Sequence, residues 1–393
     1  MNKKDIAHFR RQLKVDNDLL KITDIFTVYI MKESSDIYHH QNQPFELLDR
    51  DQQELFMTNF KKLLAGQLDE KLFELKFKHG VPDSSQLILH QGLLSGEVEG
   101  WKEQMLKLVE KMLKTHQYEM DIVVTFIRGN YMKPMKQQKE EVEENGRDTV
   151  YSHPFILCSM NKTEEPKKEL LFDYVEKAFK YNFVVDPIIN LNAPISGFLF
   201  PCFTDNASDV NHVLYSSGKV HEPDHQFIEE VLNGEETMTA KDDKIVFEEI
   251  VKDITNDQLN TATLHQVYEE INRVIEENEE EAPTLDYKDV ERVLTVSGVK
   301  DVDKEKVEAA FEKVIDDAKY EIKASSIVPK YTSKSIKINT KVANVSISPQ
   351  DLSYVRQVHF EGKRYLMIEV EEDTVIDGFT MIPEAFNGGG EDR

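Results

Sequence analysis

An apolar stretch near the middle of the chain constrains the fold most strongly. Residues 195–203 show no alternation of polar and apolar side chains, which is typical of a strand that is covered on both faces. Pro194 and Pro201 bracket it, and neither ring can donate a backbone hydrogen bond, so the pairing of the strand is confined. We therefore predict a core strand. Its predicted faces carry Phe198, Phe200 and Cys202 on one side and Leu199 and Phe203 on the other.

Residues in and just after this stretch are the first candidates for a binding site. Gly197 would let a ligand or another backbone come close, and Phe198 lies beside it. Asp205 and Asp209 follow the strand, where polar side chains often line clefts. The same aspartates equally suit turns and helix caps, so a purely structural role stays open for them.

Strand and helix patterns alternate over the first two-thirds of the chain. This order predicts an α+β fold, in which a mixed sheet with helices is followed by a helical segment and a small C-terminal β unit. The predicted strands are 22–30, 72–77, 120–128, 154–160, 183–185 and 195–203. The predicted helices are 3–13, 49–65, 101–116, 165–181, 243–254, 257–278, 284–296 and 303–319.

Composition breaks predict the domain organisation. An acidic run that ends at Pro283 interrupts the helical pattern and is interpreted as a linker. The predicted parts are an α+β domain at 1–237, an acidic helical region at 240–325 with its linker near 276–284, a small β unit at 330–383 and a flexible tail at 384–393.

The net charge of −25 is concentrated in one part of the chain. Residues 221–320 carry 29 acidic and 11 basic side chains, a balance of −18. This balance disfavours direct binding to nucleic acid or to an anionic membrane. It suits a basic partner or a surface that imitates nucleic acid, and it equally suits a solvated face that only keeps the protein soluble.

The N-terminal helix is a basic exception within this acidic chain. Lys3, Lys4, Arg10 and Arg11 lie off the face that Ile6, Phe9 and Leu13 form. These four side chains are candidates for contact with a phosphate or an acidic partner. Docking of the helix onto the chain's own acidic surface is the simpler interpretation.

The two cysteines, Cys158 and Cys202, both lie in apolar surroundings, which argues for a reducing compartment and against a disulfide framework. No run is long and apolar enough to predict a membrane span, and the N-terminus lacks the apolar core of a signal peptide. We therefore predict a cytoplasmic protein. Nucleophile-elbow, phosphate-loop and dinucleotide motifs are absent from the sequence, so no cofactor is predicted.

One literal zinc motif is present. His221-Glu222-Pro223-Asp224-His225 satisfies H-E-x-x-H, which places two imidazoles on one helical face in zinc hydrolases. Pro223 lies between the histidines and makes a continuous helix through both unfavourable by about 3 kcal/mol. We therefore interpret the match as a loop followed by a helix that starts near Pro223, and predict no metal site.

Several segments together resemble one bacterial family. The Gly-Phe-Leu-Phe-Pro motif with its following Asp is similar to a family known only as a domain of unknown function, number four-three-one-seven of that series. The other segments that fit are Met1–Ile6 with Arg10-Arg11, Lys61–Gly66, Phe155–Cys158, Val290–Gly298, Val355–Val358 and Arg364–Ile368. The resemblance covers nearly the whole chain, apart from the tail at Asn387–Gly390, and implies no activity.

Two functional classes remain open. The missing catalytic motifs and the uneven charge favour a macromolecular binding or adaptor protein with a protein partner. The alternative is an enzyme, either of unrecognised type with its site near 197–209 or, as the less favoured reading, a zinc hydrolase at 221–225. The oligomeric state does not follow from the sequence.

Overall fold

The chain forms two compact units, Met1–Thr239 and Ala240–Arg393. The computed structural model describes residues 1–32, 36–134, 150–164, 168–183, 186–203, 207–235, 238–256, 258–278, 283–329, 335–372, 374–376 and 379–382. The predicted regions 240–325 and 330–383 both belong to the second unit, and their separation stays a prediction. The middle of the predicted linker, 279–282, and the predicted tail lie outside the described residues.

The first unit is built on long strands. Its helices are α1 (Lys3–Gln12), α2 (Arg50–Leu63), α3 (Ser85–Leu94) and α4 (Val98–Thr115). Its strands are β1 (Leu20–Met31), β2 (Asp36–Pro44), β3 (Leu72–Lys76), β4 (Ile122–Pro134), β5 (Val150–Glu164), β6 (Lys168–Asp173), β7 (Ala178–Phe183), β8 (Ile188–Phe200), β9 (Cys202–Phe203), β10 (Ser208–Asp209) and β11 (His212–Ser217). A single π-helical segment, Phe227–Leu232, follows them.

A seven-stranded sheet in the order β2-β1-β4-β5-β8-β11-β3 forms the centre of this unit, and its strands pair antiparallel throughout. One face packs against α3, α4 and the π-helical segment, with Trp101 fully buried. The other face packs against α1 and α2, with Phe9 and Phe60 fully buried. The sheet is therefore the middle layer between two hydrophobic cores.

Local sequence explains why α1 and α2 begin where they do. The Asn2 side chain accepts from the Asp5 amide, and the Asp49 side chain accepts from the Gln52 amide. In both helices the third helical residue reaches back to the capping residue, which completes a capping box. The first backbone amides of a helix have no acceptor within the helix, and each capping box satisfies two of them.

The second unit combines helices with short hairpins. Its helices are α5 (Ala240–Thr255), α6 (Thr261–Glu277), α7 (Tyr287–Val296), α8 (Lys304–Ile315) and α9 (Ala324–Ile327). Its strands are β12 (Thr284–Leu285), β13 (Ile322–Lys323), β14 (Ile336–Asn339), β15 (Asn344–Ile347), β16 (Val355–Phe360), β17 (Lys363–Ile368), β18 (Val375–Ile376) and β19 (Phe379–Thr380). Leu264 and Tyr268 of α6 pack against Leu352, Val355 and Leu366, which joins α6 to the β16–β17 hairpin.

The α+β fold class is confirmed, but one predicted helix is wrong. Residues 165–181 were predicted to be helical, whereas β6 and β7 form an antiparallel hairpin there. Leu170 and Phe172 alternate with Leu171 and Asp173, and this period of two defines two faces of a strand. The hairpin turn between the strands interrupts that alternation, which is why the segment imitates helical spacing.

The predicted core strand is confirmed, with one correction. Residues 197–203 are buried, Phe198 and Phe200 in one core and Leu199 and Phe203 in the other. Cys202 lies in the core of Leu199, not in that of Phe200 as predicted. Pro201 separates β8 from β9, so the alternation of faces does not continue through it.

Two further elements differ from the sequence prediction. Helix α3 was not predicted, because its apolar residues form no clean stripe and Leu87 is exposed. The helix predicted at 284–296 begins only at Tyr287, with Asp286 as its cap, and Thr284 lies in β12. Within the described residues, every helix is too short or too polar to span a bilayer.

Candidate functional site

The structure places Gly197 and Phe198 inside the fold rather than in a cleft. A Cβ atom at Gly197 would lie 2.1 Å from the carbonyl oxygen of Cys158 and 2.9 Å from both methyl groups of Leu63. Phe198 is fully buried. Gly197 is therefore required for the close packing of α2 and β5 on β8. This packing explains the glycine at this position without a bound ligand.

Asp209 is occupied by local hydrogen bonds, whereas Asp205 lies outside the described residues. The Asn211 amide donates to Oδ1 of Asp209 at 2.9 Å, and Nδ1 of His212 lies 2.6 Å from Oδ2. Burial opposes ionisation of this carboxyl, but the bonds from Asn211 and His212 outweigh it and lower the pKa of Asp209. Asp209 thus stays ionised and holds a turn.

The basic residues of α1 divide into two groups. Lys3 and Lys4 are exposed. Arg10 donates from Nη1 to the carbonyl oxygen of Leu64 at 3.2 Å, and Arg11 donates from Nε to that of Ala7 at 3.2 Å. Arg10 therefore fixes α1 to the C-terminal end of α2, where a cation is electrostatically favoured.

The H-E-x-x-H segment does not form one helix. His221 has a left-handed backbone with φ of 58°, and helical residues begin only at His225. Asp224 caps that helix by accepting the Phe227 amide at 3.0 Å, and its Oδ2 lies 2.7 Å from Nε2 of His116. The two imidazoles are therefore not on consecutive turns, as a zinc site of this motif requires.

Neither cysteine is suited to nucleophilic chemistry. Cys158 and Cys202 are free thiols in the two cores, and burial raises the pKa of both well above the ordinary value. A thiol must ionise to attack or to bind a metal, and burial opposes this. Among the described residues, no group of three or more His, Cys, Asp or Glu side chains is placed to hold a metal ion.

A cavity of about 970 Å³ in the second unit is the strongest candidate site. This volume lies near the upper end of the range for small-molecule pockets. It is open to solvent and is bordered by the first turn of α6, the end of α7 and the β16–β17 hairpin. The lining residues are Leu259, Asn260, Thr261, Ala262, Thr263, His265, Gln266, Ser297, Gly298, Ser353, Val355, Arg356, Gln357, Val358, His359 and Arg364.

The start of α6 presents unpaired backbone donors to this cavity. Asn260 is the N-cap, and its side chain accepts from the Thr263 amide at 2.8 Å. The amides of Thr261 and Ala262 lack intrahelical acceptors because they belong to the first turn. Two N–H groups and the positive end of the helix dipole are therefore available to an anion.

The β16–β17 hairpin adds positive charge opposite α6. His359 pairs directly with Arg364 across the hairpin, so both side chains stand on one face. Val355 and Leu366 share that face and pack toward Leu264 of α6. His359 and Arg364 are therefore directed to the side of the hairpin that faces α6. Arg356, which pairs with Met367, is on the opposite face, although it is one of the lining residues.

The end of α7 contributes a hydroxyl group with no partner. Ser297 is 6 % exposed, and its Oγ has no hydrogen-bond partner. The amides of Gly298 and Val299 bond to the carbonyls of Thr295 and Leu294 at 3.1 and 3.0 Å, so these carbonyl oxygens at the helix end are already satisfied. Nδ1 of His265 is also buried without a partner. Both atoms are therefore able to form a hydrogen bond with a ligand in the cavity.

The charge of the lining contrasts with that of the chain. Asp and Glu make up 73 of the 393 residues, so about three acidic side chains would be expected among sixteen residues. The lining has none, and it contains two arginines and two histidines. The arrangement is therefore suited to an anion, and phosphate fits the combination of helix amides and guanidinium groups.

Sequence reasoning missed this site, although one signal for it exists. Residues 330–368 contain seven Lys or Arg and only two Asp or Glu, a balance of +5 in a chain of net −25. The sequence also shows the Asn260 cap. It does not show that this cap faces the hairpin, because about a hundred residues separate Asn260 from Arg364.

Comparison with known proteins gives a family without an activity. The family model described as "Domain of unknown function (DUF4317)" matches residues 1–379. No curated protein matches the chain.

Proposed function

Because the chain belongs to the DUF4317 family, whose function is unknown, we propose from its geometry that it is a binding protein for a phosphate-bearing ligand. The ligand's phosphate is held between the first turn of α6 and the β16–β17 hairpin. The observation that carries this proposal is the absence of acidic residues from a cavity of about 970 Å³ in a chain of net −25.

Each group in the cavity has a separate role in this binding. The amides of Thr261 and Ala262 contact phosphate oxygens through the positive end of α6. Arg364 supplies charge-assisted hydrogen bonds, and Ser297 donates its hydroxyl hydrogen. A phosphate ion alone fills little of the cavity, so the ligand carries an organic group against Leu259 and Val355.

We propose binding rather than catalysis, the role that the sequence favours. A macromolecular or protein partner would present its phosphate group to this cavity. We place the protein in the cytoplasm, since both thiols are free and buried. The alternative enzyme near 197–209 has no support in the described geometry, because Gly197 and Phe198 are packed in the core.

Isothermal titration with inorganic phosphate and pyrophosphate, at constant ionic strength, tests the proposal. Arg364→Ala should weaken binding about ten- to hundredfold, the range for loss of a charged hydrogen bond. Lys363→Ala is the matched control, since it removes the neighbouring cation, which does not line the cavity. Wild-type protein that binds neither anion, or an Arg364→Ala variant that binds as well as wild type, would refute the proposal.

A second variant tests the helix amides without disturbing the fold. Thr261 is the first residue of α6, a position where proline is well tolerated because its missing N–H has no intrahelical acceptor. Asn260 has ψ of 162°, an extended conformation compatible with a following proline. Thr261→Pro should therefore keep its melting temperature and weaken pyrophosphate binding several-fold. Unchanged affinity would show that the start of α6 is not part of the site.

A further inference from the structure

The hairpin of β6 and β7, residues 168–183, exposes an apolar face to solvent. Among the described strands, β6 and β7 pair only with each other. Leu170, Phe172, Phe179 and Tyr181 are 58, 42, 73 and 73 % exposed. We name residues 168–183 the arm. A two-stranded hairpin is marginal in water by itself and is normally stabilised by packing against another element.

The strand register separates the arm into an apolar and a polar face. Leu170 pairs with Tyr181 and Phe172 with Phe179, so these four side chains lie together. Leu171 pairs with Lys180 on the opposite face. Four large apolar side chains share one face, while Leu171 is on the other, so the exposure is a patterned surface and not a scatter of single side chains.

The tip of the arm is well formed and extends the apolar face. Asp173 accepts the amides of Val175 and Glu176 at 2.8 and 3.0 Å, and it pairs with Lys180 at 2.9 Å. The amide of Glu176, then Lys180, lowers the pKa of Asp173, which keeps the turn's acceptor ionised. Tyr174 packs edge-on against Phe172 at 5.2 Å and is 85 % exposed.

The exposed area is large enough for a specific interface. An aromatic side chain has an area of about 150–250 Å². With their exposed fractions applied to areas of this size, the four arm side chains and Tyr174 together expose on the order of 700 Å². The largest apolar patch on a typical monomer is about 300–600 Å². Two such faces together would bury about 1,400 Å², within the range of stable protein interfaces.

We propose that the apolar face of the arm packs against the same face of a second copy of the chain, forming a symmetric dimer. A two-fold interface uses one patch twice, so the patch must be complementary to itself, and an apolar face meets that condition. Charge favours this location as well. The arm has three basic and three acidic residues, so two chains of net −25 meet where neither carries local net charge. The inference is independent of the phosphate cavity.

Sedimentation velocity of the full chain tests the proposal with two matched variants. Leu170→Glu places a carboxylate on the apolar face and a second one nearby in the partner. It should raise the dimer dissociation constant at least about a hundredfold, because opposed like charges cost several kcal/mol. Leu171→Glu makes the same change on the opposite face, beside Lys180, and should leave the dimer intact.

Salt and folding controls complete the test. Higher ionic strength should strengthen the dimer, since it screens the repulsion between two acidic chains while apolar contact persists. Circular dichroism should show equal folding of both variants, and Tyr181→Glu provides a second disruption of the same face. A wild-type chain that is monomeric at every accessible concentration, or equal effects of Leu170→Glu and Leu171→Glu, would overturn the proposal. Binding of the arm to lipid vesicles or to another protein in place of a second copy would overturn it as well.

Discussion

The arm and the end of β8 are both apolar strand segments of the first unit, yet they have opposite environments. Phe198 and Phe200 of β8 are fully buried, whereas Phe179 and Tyr181 of the arm are each 73 % exposed. The end of β8 lies between two neighbouring strands and two layers of helices, while β6 and β7, within the part of the chain that the structure describes, pair only with each other. Apolar sequence thus predicts strand formation in both regions, but the surrounding layers decide burial.

The largest expected effect is on stability, and it is measured by making the same Phe→Ala substitution in each region. Phe200→Ala should lower the free energy of unfolding by roughly 3–5 kcal/mol, because it removes a fully buried aromatic ring and leaves a cavity. Phe179→Ala should change it by no more than about 0.5 kcal/mol, since its ring is mostly in solvent. Urea denaturation at low protein concentration measures both. Equal losses would mean that the arm is part of the cooperative core.

A smaller effect tests the close packing at β8. Gly197→Ala should destabilise the protein by about 1–3 kcal/mol, because the new methyl group meets the backbone oxygen of Cys158 and the side chain of Leu63. Gly96→Ala is the control, as no atom lies within 4 Å of the added Cβ. If both variants melt at the wild-type temperature, the layers at β8 are looser than the structure shows, and the contrast with the arm weakens.

The smallest effect concerns pH. His153 of β5 is 5 % exposed beside Phe203, and burial, followed by the nearby Lys133, lowers its pKa below 6.5. The unfolded chain then binds a proton more readily than the folded one. Stability from this residue is complete above pH 6.5 and declines as the pH falls below it. The arm contains no histidine, so its contribution does not change in this window.

Thermal melting between pH 7.5 and 5 measures this effect. Wild type should lose stability on acidification, and His153→Gln should lose less. A His153→Gln profile parallel to that of wild type would show that the core around β8 and β9 is not the source of the pH dependence.

Much of the fold follows from local sequence patterns. The helical stripe of Trp101, Met105 and Leu108 predicts α4, and the capping residues Asn2 and Asp49 stand at the starts of α1 and α2. The wrong prediction of a helix at 165–181 has a definite cause. Phe172 and Phe179 lie on opposite sides of the turn but seven residues apart in the chain, a spacing that also occurs on one face of a helix, so the segment resembles a helix when the turn is not recognised.

The cavity between α6 and the β16–β17 hairpin could be predicted only in part. The basic balance of 330–368 and the cap at Asn260 are visible in the sequence, and each predicts an affinity for anions. The sequence does not show that the basic segment and the Asn260 cap lie close together in the fold, because contacts between distant segments depend on how Leu264, Val355 and Leu366 pack. Gly197 and Phe198 were predicted to lie at a binding site, but close packing in the core explains these residues instead.

The sequence by itself determined the α+β class, the family membership and the doubly buried strand at β8. Each of these depends on residues that are close in the chain, or on the fixed geometry of proline and glycine. The tertiary structure alone decided that the arm is exposed, that Cys202 changes faces after Pro201, and that α6 and the β16–β17 hairpin share a cavity without acidic residues. The physical reason is that burial and site assembly depend on which surfaces meet, and apolar packing between distant segments is specified by shape and volume rather than by local pattern.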